Sequence, residues 1–180
     1  RRRAASGSRA SRSADWLVIV GVIDYGMGNL RSVQGALETL GCEVRVSGDV
    51  DALAGCERLI LPGVGSFFRA MENVRARGLD RAIHRLVDEG RPLLGICLGM
   101  QLLARTGMED GRADGLGFFD ASVERLPATA PHVPHVGFNS VRFAASAGAL
   151  SASLGTAADF YFVHSYRMVC HDSSDIAGTC

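Results

Sequence analysis

Apolar and polar positions alternate between two periods along most of this chain. LVIVGVI at 17–23 is an unbroken, β-branched run, the pattern of a strand covered on both faces. The longest apolar candidate, Trp16 to Ile23, suits one buried strand and falls short of the roughly 18 residues that span a bilayer. DYGMGN follows as a glycine loop, and Leu30, Val33, Leu37 and Leu40 then recur at helical spacing until Gly41. CEVRV (42–46) alternates as a short strand, and RLILPG (58–63) is a second buried strand ending in Pro-Gly. Helical periodicity occupies 66–89, in two pieces broken near Gly78. RPLLGI (91–96) predicts a fourth strand, and LGMQLLART a helix directly after Cys97.

Strand and helix in alternation predict a parallel sheet with helices on both faces. Function gathers at the carboxyl ends of such strands. DYGMGN, PGVGS and GICLG all follow strands, so all three loops are expected on one edge. From Gly115 the texture changes: FFDASVERL, VGFNSVRF and DFYFVHSYRMV read as three strands, with PATAPHVPH as a proline-rich connection. The small-residue stretch 144–159 reads as a loop or a short helix.

Composition adds to these expectations. The chain has 180 residues, long enough for one domain with a full core, and 47% of them are hydrophobic. Its formal charge of zero hides an asymmetry, because Arg1, Arg2, Arg3, Arg9 and Arg12 lie in the first twelve residues with no acid among them. Without those five, 14 basic residues face 19 acidic ones, so no general basic surface for nucleic acid is expected. Residues 1–15, rich in Arg, Ser and Ala, read as a disordered tail; their acid-poor character also fits an organelle transit peptide. Every basic residue is arginine, which excludes a lysine nucleophile or Schiff base among these residues. The five cysteines are widely spaced with no CxxC; they suggest neither a zinc site nor a disulfide scaffold, and read as reduced cytosolic thiols.

Gly95-Ile96-Cys97-Leu98-Gly99 has the form of a nucleophile elbow with cysteine at its apex. A strand must turn sharply into a helix there, and flanking glycines remove Cβ clashes at the strained turn. A following helix favours thiolate, and the Leu98 N–H is set where an oxyanion would form. The plainer alternative is a small buried cysteine in a tight turn. A second glycine loop on the same edge, Pro62-Gly63-Val64-Gly65, favours the nucleophile and supplies a second candidate donor. Phosphate binding by GMGN is a weaker alternative, since neither G-x-G-x-x-G nor a P-loop lysine is present.

Such a nucleophile needs a base. His84 reads as a surface residue in mid-helix, His132 and His135 flank prolines, and His171 lies in a polar run. On texture alone, His164 in YFVHSY is the best candidate.

VGVIDYGMGNLRSV, LPGVGSF, GICLGMQLL, VPHVGFNSV and YFVHSYR, in this order and spacing, resemble the glutaminase subunits of imidazole glycerol phosphate synthase. These are class I (triad) glutamine amidotransferases of histidine biosynthesis, and the resemblance runs from residue 18 to about 180. It implies an α/β, flavodoxin-like three-layer sandwich with a mixed, mostly parallel sheet, one amidotransferase domain over 16–180. It also implies glutamine hydrolysis through a Cys97 thioester. Ammonia then passes to a cyclase partner, a (β/α)8 barrel that is separate or fused; no cofactor, metal, nucleic acid or membrane is involved, and the setting is cytoplasmic. Gln101 matches a glutamine-binding position, Gly63 and Gly65 the loop that supplies an oxyanion donor, and Ser165 and Tyr166 positions beside bound glutamine. Asn29, His135, Phe138 and Asn139 match the cyclase-facing side.

Two departures stand out. Phe138 replaces the family's usual Trp. The family's catalytic His and Glu belong to an HPE segment, typically FHPEKS, downstream of YFVHSY, and none occurs before Cys180. His164 does not match that base, which leaves it a pocket or partner-facing role. The expectation is a C-terminally incomplete chain that lacks two triad members, turns over little glutamine and is marginally stable. A non-catalytic docking module of the same fold, or another class I amidotransferase, is the alternative.

Overall fold

A computed structural model describes residues 18–130 and 132–180. The tail expected over 1–15 lies outside the described residues.

The first half is a parallel four-stranded sheet in the order β2-β1-β3-β4. Its strands are β1 (Ile19–Ile23), β2 (Glu43–Ser47), β3 (Arg58–Leu61) and β4 (Leu93–Gly95). Between them run α1 (Leu30–Thr39), α2 (Val50–Ala54), α3 (Phe67–Ala76) and α4 (Leu79–Asp88). Local chemistry sets their ends. Asn29 caps α1 by accepting from the Ser32 N–H, Asp49 caps α2, and Ser66 caps α3. Gly78, in left-handed conformation at φ 66°, breaks α3 from α4 where the helical pattern predicted a break.

The core lies where Leu53, Phe67, Met71, Val74, Leu79, Ile83 and Leu86 pack on one face of this sheet. The other face has a row in register, Val46, Val22, Ile60 and Leu94. It is buried at its centre and open at its ends, with Val46 36% and Leu94 42% exposed.

The second half builds two further ladders. β5 (Ala104–Gly107), β6 (Ala113–Asp114), β7 (Phe119–Arg125) and β10 (Tyr166–Cys170) form a mixed sheet in the order β10-β7-β5-β6. β8 (His135–Phe143), β9 (Ala157–His164) and β11 (Gly178–Thr179) form an antiparallel one.

Two expectations are corrected here. DFYFVHSYRMV is not one strand: it breaks at Ser165, so that β9 pairs with β8 while β10 pairs with β7. The helix after Cys97, α5, is a single turn, Leu98–Gln101. Leu102 and Leu103 turn into the core beyond it, and the Leu116 N–H bonds back to the Leu102 carbonyl, which commits the chain to β5. No helix among the described residues is long and apolar enough to cross a membrane.

Candidate active site

The loops after β1, β3 and β4 meet at the carboxyl edge of the parallel sheet, as expected of DYGMGN, PGVGS and GICLG. The interlock is close. A Cβ on Gly63 would overlap the Tyr25 hydroxyl and come within 3.0 Å of the Gly99 nitrogen; one on Gly99 would overlap the Leu61 carbonyl. A Cβ on Gly95 would lie 2.5 Å from the Met100 Cα. Glycine is required at these positions because neighbouring backbone fills the space.

Cys97 sits at the apex, exposed, with φ 55° and ψ −119°. A non-glycine residue in this region costs about 1–3 kcal/mol and persists only where its surroundings impose it. Here β4 pulls from one side, and the Gly99 N–H bonds back to the Ile96 carbonyl at 3.0 Å on the other. The first N–H groups of a helix lack intrahelical partners. With that of Gly99 taken, the Leu98 N–H is the free donor beside the thiol. Because α5 is one turn long, its macrodipole is small; what the elbow offers is a local donor and an exposed sulfur.

Tyr25, from the first glycine loop, escaped sequence reasoning. Its ring is fully buried beneath Gly63, and its hydroxyl has no hydrogen-bond partner among the described residues. Burial, and then the charge of a Cys97 thiolate, push the phenol well above its usual range. A tyrosine inside a glycine loop was the only available signal.

Gln101 ends α5 and donates from Nε2 to the Tyr166 carbonyl at 3.3 Å. The structure thus brings Gln101 and Tyr166 together beside the Ser165 break. Gly65 holds φ 105° over Met27. Asn29 is exposed at the start of α1. Phe138 is 76% exposed and edge-on to Tyr161, while Asn139 accepts from the Ser140 N–H.

Among the described residues no histidine hydrogen-bonds to Cys97. The His164 ring is engaged by His135 and the Tyr166 carbonyl. His84 is not a plain surface residue. It is half-buried, stacks on Phe118 at 4.4 Å, and its Nε2 meets the Leu116 carbonyl at 2.8 Å, fastening α4 to the turn before β7.

The CobB/CobQ-like glutamine amidotransferase domain family matches residues 28–129. An imidazole glycerol phosphate synthase subunit HisH from Moorella thermoacetica is 48% identical over 160 residues, covering 89% of this chain and 75% of that protein. Its counterpart from Geobacillus thermodenitrificans is 49% identical over 158 residues, covering 85% and 73%. A crystal structure of a glutamine amidotransferase superposes with TM-score 0.64 at 23% identity, over 85% of this chain and 74% of that one. A glutamine amidotransferase from Thermotoga maritima superposes with TM-score 0.57 at 15% identity, over 85% and 63%. The last two speak for the fold alone.

Proposed function

The chain belongs to the family of HisH subunits of imidazole glycerol phosphate synthase, which are class I glutamine amidotransferases, and from that premise we propose that it serves histidine biosynthesis as a glutaminase with Cys97 as nucleophile. The observation that carries the assignment of Cys97 is its backbone: an exposed thiol held at φ 55° on a glycine-flanked turn. Nothing but a demand on the sulfur's position accounts for a cysteine where glycine is the unstrained choice.

The chemistry follows from the site. The Cys97 thiolate adds to the side-chain carbonyl carbon of L-glutamine. The developing oxyanion takes the Leu98 N–H and a second donor from Pro62–Gly65. Collapse breaks the C–N bond, and protonation of the nitrogen releases ammonia. Water then cleaves the thioester to glutamate and restores the thiol. The resemblance assigns the proton transfers to the His and Glu of an HPE segment. Gln101, Ser165 and Tyr166 line the substrate side.

Ammonia goes to a cyclase partner. The docking side takes in Asn29, His135, Phe138 and Asn139; on the β8–β9 ladder, Phe138 shares an exposed apolar face with Tyr161, Val136 and Val163, and His135 and Asn139 lie on the opposite face.

Labelling with a diazoketone analogue of L-glutamine tests the assignment. Mass spectrometry should place one label on Cys97, and L-glutamine should block it. A label on Cys42 or Cys56 instead, or on Cys97 regardless of L-glutamine, sinks the reading.

A further inference from the structure

Where β9 leaves one sheet and β10 enters the other, two side chains converge on a single carbonyl, with a third behind one of them. His135 Nδ1 lies 3.0 Å from His164 Nε2, His164 Nδ1 lies 2.9 Å from the Tyr166 oxygen, and Gln101 Nε2 lies 3.3 Å from that same oxygen. A carbonyl only accepts, which fixes the two donors that meet on it. His164 must carry its proton on Nδ1. In the neutral ring its Nε2 is then an acceptor, so His135 donates from Nδ1. Gln101 gives its amide N–H to the second lone pair of the Tyr166 oxygen. Its own Oε1 is thereby left as the free acceptor.

The pair is built rather than incidental. His135 and His164 face each other in register across β8 and β9. Both are half-buried, and both rings lie against Phe162, at 5.5 and 5.3 Å between centroids. The Ser165 carbonyl takes the Leu126 N–H at 2.8 Å. The break is thus pinned from both sides: Leu126 on one residue, His164 on the next.

We propose that His164, with His135 behind it, is a positioning residue for Gln101. The two imidazoles fix the Tyr166 carbonyl, the carbonyl orients the Gln101 amide, and the amide presents Oε1 to an N–H of bound L-glutamine. The same chain of bonds links β8, on the partner-facing side, to the substrate site. This rests on the reading that Gln101 lines the glutamine site.

Protection of Cys97 from iodoacetamide by L-glutamine, followed by mass spectrometry of its peptide, reads the proposal out. Each variant's own rate without glutamine is the reference. His164→Phe keeps the aromatic packing and removes both hydrogen bonds. It should raise the half-protecting glutamine concentration by roughly three- to tenfold, the worth of one or two buried hydrogen bonds. His164→Asn, whose amide N–H reaches the same carbonyl, should return it to within about twofold of the native value, and His135→Phe should give an intermediate rise. A purely structural role predicts loss of melting temperature without this ordering. A folded His164→Phe with native protection overturns the proposal. If that variant does not fold, unchanged protection in His135→Phe overturns it instead. No protection in the native chain removes the glutamine-site reading, and the proposal with it.

Discussion

Replacing Tyr25 with Phe should make the protein more stable. The native hydroxyl is fully buried, has no hydrogen-bond partner among the described residues and is pressed against Gly63. A hydroxyl desolvated without a hydrogen bond costs about 1–3 kcal/mol. Removing it leaves a void of one oxygen atom, roughly 15 Å³, worth about 0.4 kcal/mol. The balance is about 1–2 kcal/mol in favour of Phe, or about 2–8 °C in melting temperature for a domain of this size. Thermal or urea unfolding near pH 7 measures it.

The alkaline arm has a definite sign. Burial raises the Tyr25 phenol above its ordinary value because the folded state holds the neutral form. That contribution is intact below about pH 10 and is lost as pH climbs through the raised folded value. Phe cannot ionise, so the advantage of Tyr25→Phe should widen above pH 10. A variant that melts below the native protein at neutral pH, or a gap that stays constant into alkali, refutes the reasoning.

Other perturbations probe the rest of the site. Gly99→Ala drives a Cβ into the Leu61 carbonyl of a central strand, and should destabilise by about 3 kcal/mol or more; denaturant melts with a native midpoint would contradict the interlock. Phe67→Ala, which empties a fully buried site between α3 and β5, should cost about 3–5 kcal/mol in the same melts. Towards iodoacetamide in the folded state, exposed Cys97 should react before half-buried Cys42. Buried Cys56, whose thiol burial pushes up, should react last; equal rates would count against the elbow. Phe138→Asp should leave the melting of the isolated chain within about 0.5 kcal/mol, yet weaken its affinity for the cyclase by about tenfold or more in calorimetry.

Much of this was legible in residues 17–101, where each element carries its own signal. Periodicity and caps place α1, Gly78 splits α3 from α4, a β-branched run marks β1, and an apolar run ending in Pro-Gly marks β3. Three glycine loops after strands locate the edge, and G-x-C-x-G locates its apex. What was not legible depends on contacts between distant segments. LGMQLLART has helical texture, yet burial of Leu102 and Leu103 ends α5 after one turn. DFYFVHSYRMV is strand-like along its whole length, and nothing local says that pairing changes partner at Ser165. His84 has charged neighbours in sequence, but Phe118 and Leu116 decide its environment. The unsatisfied hydroxyl of Tyr25 has no signature in the chain, because it arises from where Gly63 and the elbow come to rest.

The backbone at Cys97 sets stability against selection. At φ 55° and ψ −119° a glycine would be relaxed, so Cys97→Gly recovers part of the strain, whereas Cys97→Ala keeps it. Mutational drift towards a more stable protein therefore leads directly to loss of the thiol. Cysteine persists at this position only while something outside folding requires it.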